Sequence, residues 1–392
     1  MNSTRWAVAV ILITGAALIS LTGRSAFSQS ACGVPAPAGL LHWWTADNTT
    51  ADIINNLDGT LVNGGYAAGE VSSAFDLAND STGAARFQVP ADQSLDFNGD
   101  FTIDFWVNPG TTQNANADLL RKEDPVQQTA NGFGIEMDGT ANSNTYFAGW
   151  KNTAGAQCWT TAPFVLTPNQ WQLVAVVFDQ DTASTQFTRT VYVNGTPVST
   201  CTGAAPIATN SAPLQFGDWT PQPFGNREWD GLVDEIEIFS RALTQAEIQT
   251  LVNAGSAGKV IPLSLDIKPG DGVNPINLGS RGKVPVAILS TAAFDASTVD
   301  VASITFAGAH VARRKNGTFM ASLEDVNGDG LRDLVLHFNT QDLRGLNNST
   351  TSITIMATVN GRCASGTDTV KIVPGGKVHS SKMDNDNDDS DR

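Results

Sequence analysis

The run Trp171-Gln172-Leu173-Val174-Ala175-Val176-Val177-Phe178 is apolar on both faces that a strand would present. A strand that needs cover above and below belongs in the middle of a sandwich. Phe101-Thr102-Ile103-Asp104-Phe105-Trp106-Val107 alternates instead, with Phe101, Ile103, Phe105 and Val107 on one face. Thr190-Val191-Tyr192-Val193 leads through Asn194-Gly195 into Thr196-Pro197-Val198. Asn and Gly both tolerate positive φ, so this pair between strand-like runs predicts a tight hairpin. Composition agrees: 36 glycines and a charged fraction of only 16% suit short strands and turns better than long amphipathic helices. One helix is predicted. Thr244-Gln245-Ala246-Glu247 forms a capping box, Ile248, Leu251 and Val252 supply an apolar stripe, and Gly255 is placed to end it.

A second set of strand signals starts near Leu263, at residues 263–267, 284–289, 304–306, 334–338, 353–356 and 370–373. Pro285 lacks an N–H, which predicts an edge position for its strand, or a strand that begins there. The expected layout is a signal peptide over 1–30, a first β domain over 31–256, a linker at 257–262, a smaller β-sandwich over 263–374 and a disordered acidic tail over 375–392. The signal peptide is read from Arg5, the apolar run through Leu21 and the small residues from Ser25 to Ala31. An uncleaved anchor is the alternative. Cys32 stands where a lipoprotein cysteine could, but Gln29 occupies the position where a lipobox has Leu or a similar residue. The expectation is therefore a secreted or cell-surface protein with no membrane insertion after signal removal.

The net charge of −16 argues against nucleic acid and anionic membranes as partners. It suits neutral glycans, basic proteins or divalent cations, and it also suits mere solubility. The four cysteines allow three complete pairings. Cys158 with Cys201 is the favoured disulfide, since both sit beside strand-like sequence in one domain. Cys32 and Cys363 have no obvious partner. With no CxxC and four scattered histidines, a zinc site has little support.

Several stretches share an order with a known family. They are Gly39-Leu40-Leu41-His42-Trp43-Trp44-Thr45-Ala46-Asp47, Leu57-Asp58-Gly59-Thr60-Leu61, residues 101–109, residues 171–174 and residues 229–244. Together they resemble the laminin G-like (concanavalin A-type) jellyroll domain of bacterial secreted proteins, over roughly 33–255. The resemblance implies two curved antiparallel sheets, roles in adhesion or in glycan or protein binding, and in many members one calcium in a rim loop. Under it, Trp43, Trp44, Trp106 and Trp171 are structural. From Leu265-Asp266-Ile267-Lys268-Pro269-Gly270 onward the chain resembles a C-terminal module of bacterial surface proteins. That module often carries two late cysteines, whereas only Cys363 stands here.

The sharpest chemical signal is Asp325-Val326-Asn327-Gly328-Asp329-Gly330-Leu331-Arg332-Asp333. Asp325, Asn327, Asp329 and Asp333 fall at positions one, three, five and nine of an EF-hand-like loop, with Gly330 at six and the Leu331 carbonyl at seven. Position twelve is Leu336 rather than Glu, so calcium here needs a remote ligand or water. A second candidate shell joins Asp234 with Asp230, or with Asp76 and Asp80. Alternation puts Asp234 on the face of Leu232, Ile236 and Ile238, where a carboxylate needs a partner. A salt bridge to Arg241, or hydrogen bonds from loop amides, would also serve. Glu235 and Glu237 share a face but lack the third acid of a laminarinase-type strand, and they read as a solvated charged face. Neither GxSxG nor HExxH occurs. Trp219, Trp229 and Arg227 around one irregular loop, and Trp159 at another, are the candidates for sugar stacking; plugging the ends of the sandwich is the other reading. The sequence thus points to a non-enzymatic, calcium-assisted binding protein for glycan or extracellular protein. The alternatives are a structural or matrix component of the cell envelope, or an accessory part of a carbohydrate-active system.

Overall fold

The computed structural model describes residues 32–78, 84–97, 99–124, 131–152, 155–181, 186–204, 210–220 and 226–373. The expected signal peptide and acidic tail, and Asp80, lie outside them. The strand Gln172–Asp181 lies between Gln186–Val193 and Phe101–Pro109, and its two apolar faces have separate destinations. Val174, Val176 and Phe178 enter one core with Phe101, Ile103, Phe105 and Val107. Leu173, Ala175 and Val177 pack with Trp106, Ile248 and Leu251 under the helix Gln245–Ala254. That helix carries the expected capping box, and Gly255 ends it at φ 48°.

Among the described residues the first sheet runs Thr196–Ala204, Gln186–Val193, Gln172–Asp181, Phe101–Pro109, Gly231–Phe239, Ser73–Asp76, Gly65–Ala68, with Leu40–Trp44 also paired to Gly231–Phe239. The Asn194-Gly195 turn has φ of 50° and 74°, with Val193 opposite Thr196. The second sheet runs Gly155–Gln157, Thr145–Asn152, Gly132–Met137, Asp118–Glu123, Leu214–Phe216, Arg86–Val89, Thr60–Val62. Side chains of both sheets meet in one core that includes Trp44, Phe87, Trp150, Phe216 and Trp229. This is an all-β, concanavalin A-like jellyroll sandwich, followed by further β-structure with its own core.

That second core gathers Ile267, Val286, Ile288, Phe306, Leu336, Phe338 and Ile355. One of its sheets runs Ser264–Ile267, Lys283–Leu289, Asp333–Asn339, Ala321–Glu324. Lys283–Leu289 is therefore not an edge strand. Pro285 is tolerated because its carbonyl accepts from Lys268 N, which puts its nitrogen on the same side, beyond the last residue that Ser264–Ile267 pairs. The expected linker is also largely a strand. Lys259–Pro262 pairs in parallel with Val34–Pro35 and with Arg362–Thr369. Disulfides join Cys158 to Cys201, as expected, and Cys32 to Cys363, which sequence spacing could not pair. No helix among the described residues is long and apolar enough to cross a membrane.

The two units meet over buried charge. A bulge between Asp234 and Glu237, with Glu235 at φ 53°, breaks the alternation of Gly231–Phe239. Val233, Ile236 and Ile238 consequently face the core, and Asp234 does not share their face. Glu235 and Glu237 are 0% exposed, so the solvated charged face expected for them is overturned. Lys259 Nζ pairs with Glu235 Oε2 at 3.0 Å and also with Glu237. Arg362 pairs with Glu235 at 2.6 Å and with Asp47 at 2.9 Å. Both cations lie about a ring's width from Trp43, at 5.1 and 5.0 Å from its centroid. Asp104 stands opposite Glu237 in register, and among the described residues neither of its oxygens has a hydrogen-bond partner.

Acids outnumber cations here, and protons compensate. Burial, opposed by Lys259 and assisted by Glu235, pushes Asp104 up to about 7. Burial and the neighbouring Glu235 push Asp234 up to about 9, although Val71 N donates to it. Burial also raises Glu237 well above the usual carboxylate range. Glu235 moves the other way: Lys259 and Arg362 outweigh its burial and keep it ionised. An acid with a raised folded pKa keeps a proton that the unfolded chain releases. Its stabilising share is complete below the unfolded value near pH 4 and is lost as pH rises through the folded value. The melting temperature is therefore expected to fall from pH 5.5 to pH 8.5, at about 1 kcal/mol per pH unit for each proton retained. Asp234→Asn should flatten the slope in scanning calorimetry. A wild-type melting temperature that is level or rising over that range would sink this account.

Candidate functional site

The strand Asp118–Glu123 carries a bulge between Asp118 and Leu120. The extra residue lets Asp118, Arg121 and Glu123 gather on the face of the second sheet that points away from the core, while Leu119 and Leu120 remain in the core. Next to them Gly134 and Gly149 face each other across Gly132–Met137 and Thr145–Asn152. A Cβ on Gly149 would come within 2.9 Å of Trp159 Cδ2, and one on Gly134 within 3.1 Å of Trp159 Cη2. The two glycines thus form a floor on which the indole can lie. Arg121 is held between two rings, 4.5 Å from the Trp159 centroid and 4.9 Å from that of Trp219.

Ion pairs close the cluster. Arg121 pairs with Asp118, with Glu123 at 3.2 Å and with Glu136 at 2.6 Å. Arg227 pairs with Asp118 at 2.7 Å and with Glu136, and Lys151 pairs with Glu123. Burial opposes the Arg121 charge, but Asp118, Glu136 and Glu123 more than offset it, and its pKa rises above the usual range. Burial of Asp118 outweighs both guanidinium groups and raises its pKa. Water reaches the rim alone: the side chains of Glu136, Lys151 and Arg227 are 22, 31 and 13% exposed, against 3% for Arg121.

The structure therefore brings Trp159, Trp219 and Arg227 together, but not as free stacking platforms. Trp159 and Trp219 are 7 and 5% exposed, their faces engaged with Arg121, and Trp219 Nε1 donates to the Glu123 carbonyl. Trp229 is elsewhere. It is fully buried in the sandwich core, where its Nε1 donates to Tyr146 Oη at 3.0 Å. The sugar-stacking role expected of these indoles is corrected accordingly. Sequence reasoning missed Asp118, Arg121, Glu123, Glu136 and Lys151. The four charges in Asp118-Leu119-Leu120-Arg121-Lys122-Glu123 were the available signal, hidden because the bulge spoils alternation.

Among the described residues the second candidate calcium shell is not assembled, and Asp80 lies outside them. Asp230 immediately precedes the strand that carries Asp234, four residues away and roughly 13 Å at ordinary strand rise. The main chain of Asp230 is bonded to Gln113, and Asp234 Oδ2 accepts from Val71 N at 2.9 Å. Arg241 pairs with Glu247 instead of Asp234. Asp76 Oδ1 accepts from Ala78 N.

The loop at 325–333 fits calcium in part. Asp325 accepts from Gly328 N and Gly330 N, Asn327 from Asp329 N, and Asp329 from Leu331 N, so three side chains curl around one turn. Asp333 departs from its expected place at position nine. It is fully buried, accepts from Ser290 N and Val326 N, and anchors the loop to the sheet. That leaves Asp325, Asn327, Asp329 and the Leu331 carbonyl as the protein's donors. No cluster of three His, Cys, Asp or Glu positioned to hold a metal occurs among the described residues.

Residues 80–249 match a family model described as the concanavalin A-like lectin/glucanases superfamily. No curated protein matches the chain. Solved structures similar to it include domain 4 of AbnA, an extracellular arabinanase of Geobacillus stearothermophilus, in complex with arabinotriose (17% identity, 54% of this chain and 96% of that one, TM-score 0.40). The binding domain of Paraclostridial Mosquitocidal Protein 1 is similar at 13% identity over 83% of this chain and 88% of its own, with a TM-score of 0.42. A Trypanosoma rangeli sialidase is similar at 16% identity over 57% of this chain and 34% of its own, with a TM-score of 0.40. At such scores the fold assignment rests on the sheet order and the family match.

Proposed function

We propose that the chain is a non-catalytic binding protein of the cell exterior, which recognises a glycan or a surface protein at the Arg121 cluster and holds calcium in the loop of Asp325, Asn327, Asp329 and Leu331. The observation that carries this reading is the cluster itself. An arginine is clamped between two indoles on a glycine floor, and its rim offers one acceptor, Glu136, beside two donors, Lys151 and Arg227. Hydroxyl groups of a sugar need donors and acceptors at fixed spacing, and a locked supporting shell supplies that. Recognition is thus polar and at the rim, with the tryptophans as supports. The family match spans the whole cluster, from Asp118 to Arg227. Glycoside hydrolysis needs one carboxyl to give a proton and another to attack or activate water beside it. Here Asp118, Glu123 and Glu136 are each occupied by a cation, and Glu235 and Glu237 lie beneath the second unit.

A glycan array run on the mature chain in calcium and again in chelator tests this. The expected result is selective binding that Glu136→Ala or Arg227→Ala weakens about tenfold or more, as loss of a charged hydrogen bond does. Chelator, or Asp325→Ala with Asp329→Ala, should weaken binding or lower the melting temperature in calcium. Array silence from folded protein, or binding indifferent to Glu136 and Arg227, overturns the site. One observation favours a structural role as second reading: the two units are stapled by Cys32–Cys363 and share the core residue Trp43, which suits a rigid spacer.

A further inference from the structure

Arg189 is a buried cation that neither the sheet packing nor the proposed site uses. In Gln186–Val193 it stands opposite Phe178 on one neighbouring strand and Cys201 on the other, on the core-facing side with Phe187 and Val191. Its exposure is 0%. Nη1 donates to Ser199 Oγ at 2.6 Å, and that hydroxyl donates onward to the Ala162 carbonyl. Among the described residues Nε and Nη2 have no hydrogen-bond partner. Burial lowers the pKa to about 10, so the group is a cation at neutral pH. An enclosed guanidinium with nothing opposite it is costly, and natural interiors pair such groups.

The identity of the two free nitrogens is informative. Nε–H and one Nη2–H run parallel along one edge of the guanidinium and form the fork that grips both oxygens of a carboxylate. Ser199 occupies the other end and fixes the plane. Residues 158–162 close over the site: Cys158 is disulfide-bonded to Cys201, Ala162 accepts from Ser199, and Thr161 Oγ1 lies 3.6 Å from Cys201 Sγ.

We propose that Arg189 is the receptor of a built-in oxyanion site, which takes a single carboxylate side-on through Nε and Nη2 beneath the loop stapled by Cys158–Cys201. The site adjoins the Arg121 cluster only through Trp159, which lies within its roof; Arg189 and Ser199 belong to the new site alone, and it does not depend on the glycan reading. Its ligand is either a small free carboxylate or the carboxylate of an acidic sugar.

The test follows the Arg189 Nε–H resonance of the isotope-labelled, folded chain by nuclear magnetic resonance. Sodium acetate and an oligouronate are titrated separately, with sodium chloride as the control at equal ionic strength. The expected result is a saturable shift with a carboxylate that chloride does not reproduce. Saturation by acetate alone assigns a free carboxylate, and saturation by oligouronate at about tenfold lower concentration assigns an acidic sugar. Arg189→Lys keeps the charge but loses the fork, and is expected to weaken acetate about tenfold in calorimetry. If neither carboxylate moves the resonance, or chloride moves it equally, the proposal is overturned. The titration of the unaltered chain decides the matter even if the variant fails to fold.

Discussion

Lys259→Met is expected to destabilise the chain by about 3–5 kcal/mol at pH 7.5, the usual cost of removing one partner from a buried ion pair. Lys259 is 4% exposed and lies between Glu235 and Glu237, with Asp104 opposite Glu237. Methionine keeps the apolar stem beside Trp43 and removes only the charge. Arg362 still holds Glu235, so the loss falls mainly on Glu237 and Asp104. Both can take protons, and the folded variant binds more of them than the native chain as pH falls from 7.5, so the destabilisation should shrink at pH 5.5. Adding Glu237→Gln should recover part of the loss at pH 7.5. Denaturant unfolding at the two pH values measures each quantity. A cost below about 1 kcal/mol at pH 7.5, in the range of exposed pairs, would mean that water enters this interface.

The sequence was readable where local chemistry sets the structure. The run from Trp171 to Phe178 announced a strand covered on both faces, and the helix at Ile248 and Leu251 provides the second cover. The hairpin at Asn194-Gly195 and the capping box at Thr244 were legible because each is set by local chemistry. What was not legible depends on bulges or on contacts far apart in the chain. The bulge at Glu235 turns Asp234 away from the face that alternation assigns to it. The bulge after Asp118 hides Arg121 in the same way. Arg362 meets Asp47 across most of the chain, and no local pattern announces that contact. Sequence reasoning found Trp159, Trp219 and Arg227 by residue type, yet it could not show that Arg121 already occupies both ring faces. Asp333 fitted the calcium-loop spacing, while the structure uses it to tie the loop to Ser290.

Replacing Cys32 and Cys363 by serine is expected to cost about 5 kcal/mol, more than the loss of any other single covalent feature. The disulfide joins residues 331 apart, so it removes far more freedom from the unfolded chain than Cys158–Cys201, with a separation of 43. Closure entropy grows only with the logarithm of loop length, so the two disulfides should differ by about 1–2 kcal/mol on this account. The longer one also pins Val34–Pro35 beside Lys259–Pro262, and through Cys363 it reaches the strand that carries Arg362. Its loss should therefore uncouple the two cores as well as destabilise them. Unfolding of the native chain should be one transition by both tryptophan fluorescence and far-ultraviolet circular dichroism. In Cys32→Ser/Cys363→Ser the second unit, centred on Ile288 and Phe338, should melt first, while the larger aromatic core around Phe101 and Phe178 persists. A single, coincident transition shifted by less than the Cys158→Ser/Cys201→Ser variant would show that the charged interface, and not the staple, holds the two units together.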